Sequence, residues 1–170
     1  MSSRILEFYR LEAPDSERRM IREYWQWSDA EIEQIHDFIQ WMFPLDEPSS
    51  VNPDAPLLTT EDRAAFCSDS LLQGCLRKSE ERFLNFLGLQ IGPNGVVGRS
   101  PNFRQRIHLW KYSNHNWLRI TRMLKSLRLL GFENEAKEVW KCLRKLHDDG
   151  YVSERSFGYW NDAADGLDAE

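Results

Sequence analysis

Long uncharged apolar runs are missing from this chain. No window approaches the roughly 18 apolar residues that a membrane span needs. The first ten residues, Met1–Arg10, also lack the apolar segment of a secretory leader. We therefore expect a cytoplasmic protein without a membrane span.

Cysteine is scarce, and the patterns that mark metal sites and catalytic sites are absent. The three cysteines form no C-x-x-C pair, which indicates neither a disulfide framework nor a zinc site. The four histidines lack metal-ligand spacing, and the chain has no H-E-x-x-H, G-x-S-x-G or Walker motif. The glycine-rich segment Gly92–Gly98 lacks a following Lys-Ser/Thr, which predicts a turn rather than a phosphate loop. We expect a protein that is not an enzyme and needs neither metal nor cofactor.

Composition and charge are those of one globular domain with an uneven charge distribution. The chain has 170 residues, of which 41% are hydrophobic. Asp and Glu outnumber Lys and Arg by 17 to 9 in residues 1–98, whereas Lys and Arg lead by 13 to 6 in residues 99–155. Such asymmetry is explained either by two oppositely charged halves that face each other or by a surface for an anionic partner.

Apolar residues recur at helical spacing along most of the chain. Ser28 and Glu31 form a capping box, and Pro44 ends the helix that begins there. The pattern predicts an all-α fold, a single compact domain of six or seven helices with one long Pro-rich loop, Pro44–Thr60. The predicted helical segments are Ser16–Tyr24, Asp29–Met42, Glu61–Leu87 with a new cap at Ser68 or Asp69 and again at Ser79, Asn114–Leu130, Glu135–His147 and Ser153–Ala163.

Two further features are predicted between and within these helices. Gly88 is expected to end the Glu61–Leu87 stretch in a left-handed conformation. Leu89–Ile91 and Val96–Val97 are expected to pair as a minimal hairpin. The Pro-rich loop is expected to be ordered and to pack over the capped helix.

The helix predicted at Asn114–Leu130 carries a polar stripe opposite its apolar side. On a helical wheel the stripe contains His115, Arg119, Arg122 and Ser126. Asn114 and His115 stand at the helix start, where unpaired backbone amides attract anions, and the two arginines extend that positive field along the helix. The alternative is that these arginines pair with the acidic first half of the chain or face solvent.

Aromatic residues surround the capped helix. Seven tryptophans are present in all, and Trp41 to Pro44 leads directly into the Pro-rich loop. Aromatic residues at helical spacing usually form core, and the alternative is a concave site for a ligand or peptide.

Four sequence blocks together resemble one known family, the conserved domain of the opioid growth factor receptor. They are the opening Phe8-Tyr9-Arg10; the run His36-Asp-Phe-Ile-Gln-Trp41-Met-Phe43-Pro44 followed by Glu47, Ser49, Asn52 and Ala55-Pro56-Leu57; Ser79 followed by Phe83-Leu-Asn-Phe86-Leu-Gly88; and Asn114-His-Asn-Trp-Leu-Arg119-Ile-Thr-Arg122-Met-Leu-Lys-Ser-Leu. Leu87 stands where tyrosine is usual in the third block. The resemblance spans about residues 8–146.

The resemblance implies an all-α domain and receptor activity toward the opioid growth factor, an enkephalin pentapeptide. We expect a stand-alone, bacterial form of the domain in residues 1–155, followed by a short helix end and an acidic tail in 156–170. The family brings no catalytic residues. The run that begins at His36 and the block that begins at Asn114 supply the candidate ligand-binding residues, which are His36, Gln40, Trp41, Phe43, Pro44, Asn52, His115, Asn116, Arg119 and Arg122.

The leading prediction is therefore a non-enzymatic domain that binds a small peptide or an anionic ligand in a groove bordered by both blocks. The alternative is a nucleic-acid or phosphoanion binder that uses the Arg119/Arg122 helix face and nearby basic residues, and a pI near 5.5 counts against it. An enzyme of unrecognised type is the third class.

Overall fold

A computed structural model describes residues 2–165, and α-helices dominate it. They are α1 (Arg4–Tyr9), α2 (Ile21–Gln26), α3 (Asp29–Gln34), α4 (Ile39–Met42), α5 (Thr60–Ser68), α6 (Ser70–Phe86), α7 (Phe103–Arg106), α8 (His108–Lys111), α9 (His115–Leu129), α10 (Glu133–Asp148) and α11 (Glu154–Ala163). Two short strands, β1 (Leu89–Ile91) and β2 (Val97–Arg99), pair antiparallel. The predicted all-α class is confirmed, although eleven helices are described rather than six or seven.

The predicted helix Asp29–Met42 is interrupted. Its capping box is confirmed, because the Ser28 Oγ accepts the amide of Glu31 and the Glu31 carboxylate accepts the amide of Ser28. The helix ends at Gln34 because Ile35 is extended (ψ 129°), and α4 begins only at Ile39. The helix predicted from Ser16 likewise begins five residues later, at Ile21.

The middle of the chain follows the predictions except at Ser79, where α6 continues without the predicted new cap. Asp69 separates α5 from α6, and its carboxylate accepts the amides of Leu71 and Leu72. Burial opposes ionisation of Asp69, but these bonds and Arg10 outweigh it and lower the pKa of the carboxyl. Gly88 has the predicted left-handed φ of +82°. A Cβ there would lie 3.0 Å from backbone and side-chain atoms of α7.

The hairpin and the last helix also confirm their predictions, with small shifts of boundary. The second strand covers Val97–Arg99, and the register pairs Leu89 with Arg99, Gln90 with Gly98 and Ile91 with Val97. The last helix, α11, covers ten residues. The part of the predicted acidic tail in residues 166–170 lies outside the described residues.

The chain divides into two compact units. The first contains residues 2–82 and Leu129–Gly131, and the second contains Phe83–Arg128 and residues 132–165. No helix among residues 2–165 is both long and apolar enough to cross a membrane.

The first unit has an aromatic core. The ring of Phe8 contacts those of Tyr9, Tyr24 and Trp41 at centroid distances of 5.1–5.9 Å. The Tyr9 hydroxyl donates to the carbonyl of Met42 and so links α1 to the end of α4. This packing predicts that the block containing Trp41 is a structural centre of the unit.

Hydrogen bonds from indole and guanidinium groups to backbone carbonyls connect the elements of the second unit. Trp110 Nε1 donates to the Leu87 carbonyl (2.9 Å), and Arg106 Nε donates to the Phe86 carbonyl (2.8 Å). Trp160 Nε1 donates to the Trp117 carbonyl (3.1 Å), which attaches α11 to α9. The cationic and aromatic donors therefore satisfy carbonyls at helix ends and within α9.

Two buried tyrosines make alkaline stability testable. Burial raises the pKa of Tyr9 and of Tyr24 far above the unfolded value near 10. Both hydroxyls stay protonated in the folded state while those of the unfolded chain ionise, so stability is lost as pH rises above ~10, by about 1.4 kcal/mol per pH unit for each tyrosine. Between pH 9 and pH 11, the free energy of unfolding of Tyr9→Phe, measured by urea unfolding, should fall by about 1.4 kcal/mol less in total than that of wild type. The variant Tyr112→Phe, at a side chain 79% exposed, is the control. Identical slopes for wild type and Tyr9→Phe would contradict the prediction.

Candidate functional site

Most candidate residues of the first block lie in the core of the first unit. Gln40 is 4% exposed, Trp41 1% and Phe43 0%, and Pro44 is also buried. Buried side chains have no surface with which to contact a ligand in this structure. These four residues pack into the core of the first unit, and their predicted role in ligand binding stays a prediction.

Asn52 and His36 are the members of that block with exposed surface. The Asn52 side-chain amide donates to the Asp37 carbonyl (3.1 Å) and lies 3.5 Å from Gln40 Oε1. Asn52 thereby holds the Pro-rich loop against the break between α3 and α4, while a backbone bond from the Leu58 amide to the Leu45 carbonyl joins the two ends of the loop. These bonds attach the loop to residues 37 and 40, beyond the end of the capped helix, and its predicted packing over that helix stays a prediction.

A charge network that the sequence did not reveal adjoins this loop. The Asp15 carboxylate accepts Arg19 Nε (2.7 Å) and the Tyr24 hydroxyl, and Arg19 Nη1 reaches Asp37 at 2.9 Å. The Arg19 guanidinium also lies over the rings of Tyr24 and Trp27, at 5.7 and 5.5 Å. The network positions the segment that carries the first motif block rather than offering a ligand site, because its charges are mutually satisfied.

The second block lies on α9 and is more buried than predicted. Asn116 and Ser126 are fully buried and Arg119 is 5% exposed, while His115 is exposed and Arg122 half-buried. Arg119 Nη1 donates to Asn116 Oδ1 at 3.1 Å. The interpretation of this stripe as a solvent-facing polar surface is wrong for Arg119 and Ser126. A nucleic-acid interface on the Arg119/Arg122 face would therefore lack Arg119 as a surface cation.

The start of α9 is capped by the chain itself. The Asn114 Oδ1 accepts the amide of Asn116 at 3.0 Å, and the Asn114 side-chain amide donates to the carbonyls of Leu109 and Tyr112. One of the amides predicted to attract an anion at this helix end is thus already bonded.

The first block belongs to the first unit and the second block to the second unit. Their shared groove stays a prediction.

The second unit contains an open cavity of about 560 Å³ between β2 and α10. That volume lies within the range of ~300–1,000 Å³ typical of ligand pockets. Consecutive residues Val96–Arg99 form one wall, and residues of α10 and its C-terminal end form the other, namely Glu138, Lys141, Cys142, Lys145, Leu146 and Asp149. Val97, Cys142 and Leu146 are buried and supply apolar surface.

Charged groups with fixed partners surround this cavity. The Arg99 guanidinium pairs with Asp149 and lies 4.9 Å from the ring centroids of both Phe103 and Tyr151. Lys141 Nζ lies 2.7 Å from the Glu138 carboxylate. Lys145 makes no ion pair with any side chain among residues 2–165. The cavity therefore has one cationic group available to a ligand.

The cysteine in this wall is not suited to nucleophilic chemistry. Burial raises the pKa of the Cys142 thiol to about 11, although Arg99 and Lys145 act in the opposite direction. The thiol is therefore protonated at neutral pH, when nucleophilic attack needs the thiolate. Among the described residues, no three His, Cys, Asp or Glu side chains are placed to hold a metal ion together.

Sequence reasoning missed this cavity, although part of its signal was visible. Glu138, Lys141, Lys145 and Asp149 recur at steps of three and four residues, which places them on one side of α10. A helix face that is charged along its length is usually solvated, so the pattern pointed to no site. The cavity forms only because β2 of the hairpin lies beside this face of α10.

The comparison with protein families decides the relationship of the chain. A model of the family described as the opioid growth factor receptor (OGFr) conserved region matches residues 3–149. The chain belongs to this OGFr family. The matched residues include both motif blocks and the whole cavity wall, whereas α11 lies beyond them.

Named relatives agree with this assignment. The chain is 43% identical to the opioid growth factor receptor of Mus musculus over 105 residues, which are 61% of this chain and 16% of that protein. Identity to the Homo sapiens receptor is 41% over 105 residues, 61% of this chain and 15% of the relative. The opioid growth factor receptor-like protein 1 of Xenopus tropicalis is 37% identical over 111 residues, 65% of this chain and 22% of the relative.

The OGFr-like region is thus a minor part of those proteins. The chain matches between 15% and 22% of the length of these three relatives. No solved structure matches it.

Proposed function

We propose that this OGFr-family chain is a non-enzymatic, cytoplasmic domain that binds a short peptide in the cavity between β2 and α10. The observation that carries the proposal is the cavity itself, whose volume, apolar floor and available Lys145 ammonium suit a small ligand with both apolar and anionic groups. Two of its relatives are named receptors for the opioid growth factor, which supports a peptide as the ligand class.

The choice of this cavity over the predicted groove follows from exposure. Trp41, Phe43 and Arg119 are at least 95% buried, so a ligand could reach them only after the packing around them opens. The β2–α10 cavity is open in the folded chain, and it lies entirely inside one compact unit and inside the family match.

The test is a titration of the intact chain with candidate ligands. Calorimetry and amide NMR measure the binding. The probes are an enkephalin pentapeptide, a set of unrelated pentapeptides with free termini, and a short oligonucleotide. We expect saturable pentapeptide binding with shifts of the amides of Val97 and Lys145. Lys145→Glu should weaken that binding by about tenfold, since 1.4 kcal/mol corresponds to that factor.

Lys137→Glu is the matched control, because Lys137 lies on the same helix outside the cavity wall and carries the same charge change. Its affinity should stay within about twofold of wild type. Equal losses in both variants would indicate a general charge effect and would overturn the site. Absence of saturable pentapeptide binding would overturn the proposed function, and salt-sensitive oligonucleotide binding alone would favour the nucleic-acid alternative.

A further inference from the structure

The two-stranded sheet leaves one edge of β2 unpaired beside the cavity. Hydrogen bonds run from the Gly92 amide to the Val96 carbonyl and from the Ser100 amide to the Gly88 carbonyl, and the register pairs Gln90 with Gly98 between them. In an antiparallel pair, bonded and non-bonded residue pairs alternate. The N–H and C=O groups of Val97 and Arg99 therefore point away from β1.

Those outward groups lie along the cavity. All four residues from Val96 to Arg99 line it, and no residue of β1 does, so the cavity follows the outer edge of β2 rather than the hairpin as a whole. The backbone groups of Val97 and Arg99 have no hydrogen-bond partner among the described residues. An unpaired strand edge of this kind is a template for an added strand.

The strand edge at the cavity is short. Val96–Arg99 cover three strand steps of about 3.3 Å each, so roughly 10 Å of an added strand would lie beside β2. An extended peptide of four or five residues covers that length. The apolar floor would take alternate side chains of such a strand.

Charge decides which end of the peptide the groove can hold. Arg99 is bonded to Asp149 and Lys141 to Glu138, whereas Lys145 makes no ion pair with a described residue. Both carboxylates in the wall are thus neutralised and one ammonium is not. The net positive charge complements a free C-terminal carboxylate.

We propose that an extended peptide with a free C-terminal carboxylate joins β2 as a third strand, its main chain bonded to Val97 and Arg99 and its carboxylate beside Lys145. This binding mode rests on the proposed function, since it concerns the same cavity. Main-chain pairing supplies affinity with little dependence on sequence, and the apolar floor selects the side chains that point toward it.

The first experiment measures amide hydrogen exchange in the intact chain saturated with the tightest-binding pentapeptide of the set above. We expect exchange at Val97 and Arg99 to slow by about tenfold or more, because both amides gain a partner. The Gly98 amide, which faces β1, is the internal control and should change little. Saturable binding without protection at Val97 and Arg99 would overturn strand addition and leave peptide binding intact.

The second experiment uses singly N-methylated forms of the same pentapeptide. Alternate residues of an added strand direct their N–H groups toward β2, so methylation at every second residue should weaken binding by about tenfold. The intervening positions should tolerate it. A uniform response along the peptide would overturn the pairing.

The carboxylate is tested by amidation of the peptide C-terminus. The amidated form should bind wild type about tenfold more weakly, and it should bind Lys145→Glu no more weakly than it binds wild type. Equal affinities of the acid and the amide for wild type would overturn the contact with Lys145. Failure of every pentapeptide to bind would overturn this inference together with the proposed function.

Discussion

Asp15→Ala is expected to lower the free energy of unfolding by about 3–5 kcal/mol, the range found when one partner of a buried ion pair is removed. The Asp15 side chain is fully buried and accepts the amides of Glu17 and Arg19, Arg19 Nε and the Tyr24 hydroxyl. The substitution leaves a guanidinium that is only 18% exposed beside an empty space, and it leaves a buried hydroxyl without its acceptor. Urea unfolding at pH 7 measures the loss.

Two companion variants separate charge from surface effects. Glu17→Ala alters an exposed side chain in the same turn and should change stability by no more than about 0.5 kcal/mol. Asp15→Asn keeps the shape but loses the negative charge, and it should fall between wild type and Asp15→Ala. A loss below 1 kcal/mol for Asp15→Ala would show that the network does not hold this segment in place.

Trp41→Ala as a single substitution is expected to lower the free energy of unfolding by ~3–5 kcal/mol, as truncation of a buried tryptophan usually does. Trp41 is 1% exposed, its ring lies 5.1 Å from that of Phe8, and the Arg4 guanidinium lies 5.0 Å from its centroid. Thermal unfolding followed by circular dichroism measures this loss. The control Val51→Ala, at a residue 74% exposed in the Pro-rich loop, should be near neutral.

Trp41→Ala also distinguishes a core role from a binding role. In the folded fraction of the variant, pentapeptide affinity should stay within about twofold of wild type, whereas Lys145→Glu should lose affinity without losing stability. A selective loss of affinity in a stable Trp41→Ala protein would instead restore Trp41 to the binding site.

Local sequence signals predicted helix starts and stops well. Ser28, Asp69 and Gly88 each act through their own side chain or backbone on residues close by in the sequence. Such caps and stops can therefore be recognised from the local sequence. The break after Gln34 was not predictable in this way. The Asp37 carbonyl in this break accepts the side-chain amide of Asn52, which is fifteen residues away in the sequence, so the contact is not local.

Exposure was the property that sequence patterns predicted least well in the candidate site. Helical spacing assigned Arg119 to a polar stripe, but a polar residue type does not determine solvent access, and Arg119 is buried with a bond to Asn116. Trp41 and Phe43 had been open to two interpretations, core or ligand surface. Their packing inside the first unit decides for core.

By itself, the sequence determined that this chain is helical, that it belongs to the OGFr family, and where the five longest of the described helices begin and end. These properties depend on periodicity, caps and motif spacing, which are local or directly readable along the chain. Only the tertiary structure decided which motif residues are buried and where an open cavity forms. Burial and concavity arise when distant elements such as β2 and α10 meet, and no local pattern encodes that meeting.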